Sequence, residues 1–147
     1  MKKRLREFYF YLNSGFKKAH QGEVTVIIPH GSRTQVALLE ILQKEGFIHS
    51  WQAVEEKKHR GRKLASAANF PSLKVKFRKT PRGRHFHVSP LSETHVDLHF
   101  SLRELRACTD LRGMDLLILS THRGLLTHRQ CLQYSLGGLL LCRLQVN

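Results

Sequence analysis

Acidic side chains are scarce in this chain of 147 residues. It has 11 Asp and Glu against 25 Lys and Arg, so the formal net charge is +14 and the isoelectric point lies near 10.4. With acids so few and scattered, no carboxylate cluster for Mg²⁺ is visible, and a metal-dependent nuclease lacks its usual constellation. Cysteine is scarce too. Cys108, Cys131 and Cys142 are odd in number and have no CxxC spacing, which argues for a reducing compartment and against a disulfide scaffold. No apolar run reaches the about 20 residues of a transmembrane helix. The start Met1-Lys2-Lys3-Arg4 is basic, but no apolar h-region and cleavage site follow, so a secretory signal is not expected. Internal repeats and long low-complexity segments are also missing.

What is present is positive charge on a chain able to fold. Hydrophobic residues make up 41%, enough for one modest domain or two small subdomains with a limited core. A folded domain this basic usually faces a polyanion, most often nucleic acid. A membrane surface is not expected, since no strongly basic amphipathic helix is joined to a lipid anchor. The charge is uneven: residues 1–80 carry 17 Lys and Arg against 6 acids, and residues 81–147 carry 8 against 5. All eight bases of the second half are Arg, the side chain that holds phosphate in bidentate fashion and stacks on bases.

Periodicity gives the organisation. Leu5, Phe8, Tyr9, Leu12 and Phe16 form the stripe of an amphipathic helix. Val24, Val26 and Ile28 read as a strand stopped by Pro29. Ser32 with Gln35 is a capping-box pattern opening a second helix that stops at Gly46. A strand over 47–53 follows, and Leu73, Val75 and Phe77 make another whose outer face, Lys74, Lys76 and Arg78, is cationic. Between them, Lys57 to Lys63 packs five cations into seven residues and is expected to be a loose basic loop, continued by small residues over 65–69. The tract 80–84 is the expected boundary. Beyond it come a strand at 96–100, a Ser101–Glu104 capping box, a buried strand at 116–119, a Thr127–Gln130 capping box opening a helix that carries Arg129, Leu132 and Tyr134, and a final strand at 139–142. The expectation is an α/β (α+β) fold of two small subdomains: residues 1–80 as α-β-α-β-β, and residues 81–147 β-rich with short helices.

One tract carries most of the chemistry. Ile118-Leu119-Ser120-Thr121-His122-Arg123-Gly124-Leu125-Leu126-Thr127 reads as a buried strand, a polar basic turn and a helix start, followed by Gly137-Gly138. Two hydroxyls, a guanidinium and free backbone N–H groups in one tight loop are phosphate- and sugar-binding groups on a rigid support. The tract resembles the small-subunit ribosomal protein eight family, in which this segment reads close to Ser-Thr-Ser-Lys-Gly-(hydrophobic)-Met-Thr-Asp-Arg with a Gly-Gly pair at the same distance. Val26 to Ile48 is similar as well: Val-x-x-Pro-x-x-Ser-Arg, a helix, then Lys-Glu-Gly-Phe-Ile stand beside the family's Val-Pro-x-Ser-Lys and Glu-Glu-Gly-Phe-Ile. Departures are His99 near a family Tyr, Asp115 near Gly, His128 near Asp and Leu139 near Glu, together with the expanded basic loop 55–69. They mark a divergent member, and such drift is more typical of an organellar ribosome, the mitochondrial one being the expectation, than of a bacterial one.

The resemblance implies a structural protein of the small ribosomal subunit, one that binds the central domain of its ribosomal RNA, touches neighbouring ribosomal proteins and has no cofactor, small-molecule substrate or catalytic step. Ser120 and Thr121 would then donate to ribose or base edges, Arg123 would hold phosphate, and Gly124 would allow close approach. His122, Thr127, Arg129, Gly137 and Gly138 complete the expected RNA site, and Ser32 and Arg33 add a phosphate position at a helix N-terminus. Plainer readings stand beside these: a simple turn at Ser120 to Gly124, a mere helix cap at Ser32, a tight turn at Gly137-Gly138. The alternative of another kind is a regulatory or stand-alone RNA-binding module, such as an mRNA repressor. The candidate metal sets His85 with His87, His95 with His99, and His122, His128 with Cys131 lack zinc spacing, so these histidines are expected to be exposed or RNA-facing.

Overall fold

The computed structural model describes residues 2–54, 72–90, 98–108 and 115–147. The basic tract 57–63, the small-residue run 65–69, His95 and the beginning of the strand expected at 96–100 lie outside the described residues.

Helix α1 (Lys2–Lys18) is built by the stripe that the sequence shows: Phe8, Tyr9, Leu12 and Phe16 are all buried. Strand β1 (Val24–Ile28), helix α2 (Arg33–Lys44), strand β2 (Ile48–Val54) and strand β3 (Ser72–Phe77) follow. They form an antiparallel three-stranded sheet in the order β1-β3-β2, with Val26, Val75 and Trp51 in register across it. Ser32 caps α2, its hydroxyl accepting from the Gln35 N–H at 3.3 Å. The expected reciprocal bond is not made, because the Gln35 side chain is buried and its Oε1 has no partner. Of the cationic outer face of β3, Lys76 is engaged by Glu23 at 3.0 Å.

The second sheet has five strands: β4 (Phe86–Pro90), β5 (His99–Phe100), β6 (Leu116–Thr121), β7 (Gly124–Thr127) and β8 (Gly138–Val146). Its order is β4-β8-β6-β7, with β5 paired to the start of β8. Helices α3 (Leu102–Ala107) and α4 (His128–Gln133) are single short turns, each opened by a complete capping box. The sequence reading missed β4, and it cut β8 short because Arg143 and Gln145 break the apolar run. Tyr134 is the C-cap of α4 and not one of its helical residues.

Leu116, Leu117, Ile118 and Leu119 are buried in succession because both faces of this sheet are covered. On one face Leu116, Ile118, Cys142 and Leu144 join the cluster of Phe8, Leu12, Leu39 and Phe77, so a continuous core runs between the two halves. On the other, Leu117, Leu119 and Leu140 pack with Leu105 and Cys131 under α3 and α4. Burial pushes the Cys142 thiol up to about 12 and raises that of Cys131 too, so both pack as small apolar groups. At the base of β6, buried Asp115 accepts from Arg143 at 2.6 Å and from the Val146 N–H at 3.0 Å. One of the eight second-half arginines is therefore a pin inside the sheet.

Candidate nucleic-acid interface

Strand β6 leaves the two-sided core at Leu119, and its next two residues reach the surface. The expected sequence of strand, turn and helix start is in fact a β-hairpin: Ile118 pairs with Thr127, Leu119 with Leu126, Ser120 with Leu125 and Thr121 with Gly124. Leu125 and Leu126 continue the ladder before Thr127 caps α4. A four-residue strand after a turn was hidden because its two leucines also fit the first turn of a helix. The turn residues His122 and Arg123 keep negative φ while Gly124 sits at φ +95, the pattern of a type I turn closed by a glycine bulge. The Thr121 hydroxyl donates to the Gly124 carbonyl at 2.9 Å and accepts from the Arg123 N–H at 3.1 Å. Thr121 thus ties the turn, and what it has left for a ligand is an acceptor lone pair.

Ser120, Thr121, His122, Gly137 and Gly138 come together as one side of an open cavity of about 500 Å³, whose other side is His99, Phe100, Ser101 and Glu104 with Leu139. The glycines lie where three backbone segments converge. A Cβ on Gly137 would stand 2.6 Å from the Phe100 carbonyl oxygen, and one on Gly138 would stand 2.6 Å from that of Ser120. Neither has positive φ, so close packing of the chain itself, not a turn conformation, excludes any larger residue. Among the described residues, no Lys or Arg lines this cavity. The carboxylate among its described lining residues, Glu104, accepts from the Ser101 N–H at 2.7 Å, and that bond holds it below the usual carboxylate range. A neutral to acidic cavity of hydroxyls, imidazoles and bare backbone suits ribose and base edges, not phosphate.

Arg123 points elsewhere. Its guanidinium carbon lies 5.9 Å from the centre of the Tyr134 ring, which is 49% exposed. A cation held over an aromatic face is preplaced for an anion. Arg129 is exposed on α4. Thr127 is not at the surface: it is buried, and its side chain is committed to the Gln130 N–H at 3.2 Å. His128, expected to face outward, is also buried, at 8% exposure. Strand β7 ends opposite Ile118, and the next ladder donor, the Leu117 N–H, goes to His128 Nδ1 at 3.2 Å. Ser32 and exposed Arg33 lie on the three-stranded half, beside a largely apolar groove of about 320 Å³. Among the described residues, no three His, Cys, Asp or Glu side chains gather as metal ligands.

The sequence reading left Ser101, Glu104 and Tyr134 out of the site, and it had His99 only among the histidines expected to be exposed or RNA-facing. The Ser101–Glu104 capping box was legible, but its place beside the hairpin depends on β5 pairing with β8, which is a non-local contact.

Residues 14–144 match the family model described as Ribosomal protein S8. The chain belongs to the ribosomal protein S8 family. Among similar proteins, the small ribosomal subunit protein uS8 of Orientia tsutsugamushi (strain Ikeda) is 23% identical over 129 residues, covering 86% of this chain and 88% of that protein. The small ribosomal subunit protein uS8c of Phalaenopsis aphrodite subsp. formosana is 30% identical over 105 residues, covering 71% and 72%. The uS8 of Pseudomonas putida (strain KT2440) is 28% identical over 131 residues, covering 86% and 87%. This S8 chain is thus a divergent one, and the S8 match takes in α2, β1 to β7, most of β8 and the whole hairpin with its cavity.

Proposed function

We propose that this S8 chain acts as a structural constituent of the small ribosomal subunit by binding the central domain of the subunit's ribosomal RNA, and that it holds RNA shape during assembly instead of performing chemistry. The observation that carries the reading is the joining of Ser120, Thr121, His122, Gly137 and Gly138 around one cavity that no Lys or Arg lines among the described residues, with Arg123 preplaced just outside it. In this reading the cavity takes ribose and base edges, Ser120 and His122 meet them directly, Thr121 and the glycines shape the wall, and Arg123 and Arg129 take phosphate. Thr127 contributes by fixing α4. The half spanning 81–147 reads the RNA, and the half spanning 1–80, with Ser32 and Arg33 at the start of α2, adds backbone neutralisation.

Phe10, 70% exposed on α1, is the contact we assign to a neighbouring ribosomal protein. The compartment we propose is the mitochondrion, which the low identity to bacterial relatives supports. Sedimentation of the tagged chain with small subunits from purified organelles tests both place and role. A chain found only with messenger RNA would favour the regulatory module instead.

A further inference from the structure

Strand β2 is the edge of the three-stranded sheet. In the order β1-β3-β2 its inner neighbour is β3, and among the described residues no strand pairs its outer side. An edge strand leaves a row of backbone N–H and C=O groups open, and sequences usually blunt such a row with Lys, other charges or Pro. Ile48-His49-Ser50-Trp51-Gln52-Ala53-Val54 holds no Lys, Arg, Asp, Glu or Pro, although 24% of the chain is charged. Its ladder to β3 is irregular between Ile48 and Ser50 and regular from Ser50 to Val54, where Gln52, Ala53 and Val54 are exposed. A groove runs beside this regular stretch. Trp51 and Ala53 stand opposite Val75 and Leu73 and share one face of the sheet. Helix α2 does not close over them: Val36, Ala37 and Glu40 form the other wall of a largely apolar groove of about 320 Å³. Glu40 is exposed, and among the described residues it has no cationic partner.

We propose that this edge and groove receive an extended segment of a neighbouring small-subunit protein, which adds a strand to the sheet beside β2, puts one large apolar side chain into the groove and sets a Lys or Arg two residues away against Glu40. The inference rests on the small-subunit reading above and adds a protein-binding surface to it. A strand laid along the outer side of β2 directs every second side chain to the groove side of the sheet, over Trp51 and Ala53 and against Val36 and Ala37. Ala37 and Glu40 lie about 4.5 Å apart along the helix axis. Side chains on one face of a strand are about 6.6 Å apart, so an apolar residue at Ala37 brings the next one on that face to Glu40. RNA is the poorer occupant, because it has no alternating N–H and C=O groups to complete the ladder and Glu40 repels its phosphates. A partner helix would fill the groove but leave the β2 edge open. The end of the groove at Ser32 and Arg33 is left to the phosphate contact assigned above.

The test is made in assembled small subunits, with a photo-reactive benzophenone side chain in place of Gln52, which stands opposite Lys74 on the sheet face away from the groove. On irradiation it should label one small-subunit protein, in an extended segment that carries a large apolar residue with Lys or Arg two positions from it. Ala37→Leu fills the groove with another good helix former, and Glu40→Lys reverses its charge. Each should weaken the labelling about ten-fold, the loss that a central anchor gives. Exchanging the partner's base for Glu should restore labelling to Glu40→Lys. Binding of either variant to a central-domain RNA fragment should match wild type. Glu40 is exposed, so its variant decides alone if Ala37→Leu lowers the melting temperature of the free chain. Labelling of RNA, labelling confined to this chain, a labelled segment without the apolar and basic pair, or labelling indifferent to the variants overturns the proposal and leaves the small-subunit reading intact. A chain absent from purified small subunits overturns that reading, and this proposal with it.

Discussion

Asn13 on α1 and Val88 on β4 exchange two hydrogen bonds: the Asn13 Nδ2 donates to the Val88 carbonyl at 2.8 Å, and the Val88 N–H donates to Asn13 Oδ1 at 2.8 Å. The side-chain amide does what another strand would do, pairing the edge of β4 that faces away from β8. It also joins the first helix of the chain to the second sheet, so the shared core and this amide together set the position of the second half on the first.

Asn13→Ala should therefore destabilise the whole protein. It orphans one partly buried donor and one partly buried acceptor, for a loss of about 2–3 kcal/mol. Asn13→Asp should be no better, since an oxygen would then face the Val88 carbonyl. Urea unfolding measures this, and a loss under about 0.5 kcal/mol for Asn13→Ala would show the pair to be incidental.

How much of this was legible depends on which contacts are local. The stripe from Phe8 to Phe16, the Val24–Ile28 strand and the Ser101 and Thr127 capping boxes follow from neighbours three or four residues apart, and they stand where the sequence put them. Strand β4 was hidden because Phe-His-Val-Ser-Pro has weak alternation and a terminal proline, and it exists through pairing with β8 and Asn13. The site divides in the same way. Ser120 to Gly124 could be read as one tract, whereas His99 and Glu104 reach the cavity only through the β5–β8 pairing.

Asp115→Asn should show that the Arg143 pair is structural. Arg143 would keep a buried guanidinium edge without its charge partner. Because its side chain is 27% exposed, the expected loss is about 2 kcal/mol, below the roughly 3–5 of a fully buried pair. Affinity per folded molecule should be unchanged. A selective loss of RNA binding with normal unfolding would instead make Arg143 a contact.

His128 predicts acid sensitivity. Burial, and next the charge of Arg129, hold its pKa below the ordinary 6.5. Below about pH 6.5 the unfolded chain takes up a proton that the folded imidazole resists, so this group's stabilising effect is complete above that pH and is lost as the pH falls toward the folded value. His128→Asn keeps an acceptor for the Leu117 N–H and cannot titrate. Its stability should fall less than that of wild type between pH 7 and 5, and parallel curves would refute the assignment.

Gly138→Ala should separate the two readings of the glycine pair. Its Cβ meets the Ser120 carbonyl oxygen and the Thr121 methyl group, at 2.6 and 2.9 Å, so β8 must shift against β6. A loss of about 1–3 kcal/mol is expected without any RNA present. An unchanged melting curve with weakened RNA binding would mean that the glycine serves the RNA alone.

Arg123→Glu should weaken binding to central-domain RNA far more than Lys74→Glu. Arg123 is fixed by a bulged turn and by the Tyr134 ring, so contact freezes little, whereas exposed Lys74 must be ordered at the moment of binding. A charge-assisted contact is worth roughly 1.5–3 kcal/mol, and reversal adds repulsion. Tyr134→Ala should lower affinity by about 0.5–1 kcal/mol by releasing the guanidinium. Ser120→Ala should cost about 1 kcal/mol and leave the salt slope unchanged, since no charge is removed. Binding across a range of salt concentrations reads all four variants. Equal losses for the two charge reversals, with no effect of Ser120→Ala or Tyr134→Ala, would reduce the hairpin to a turn on a protein that binds by bulk charge.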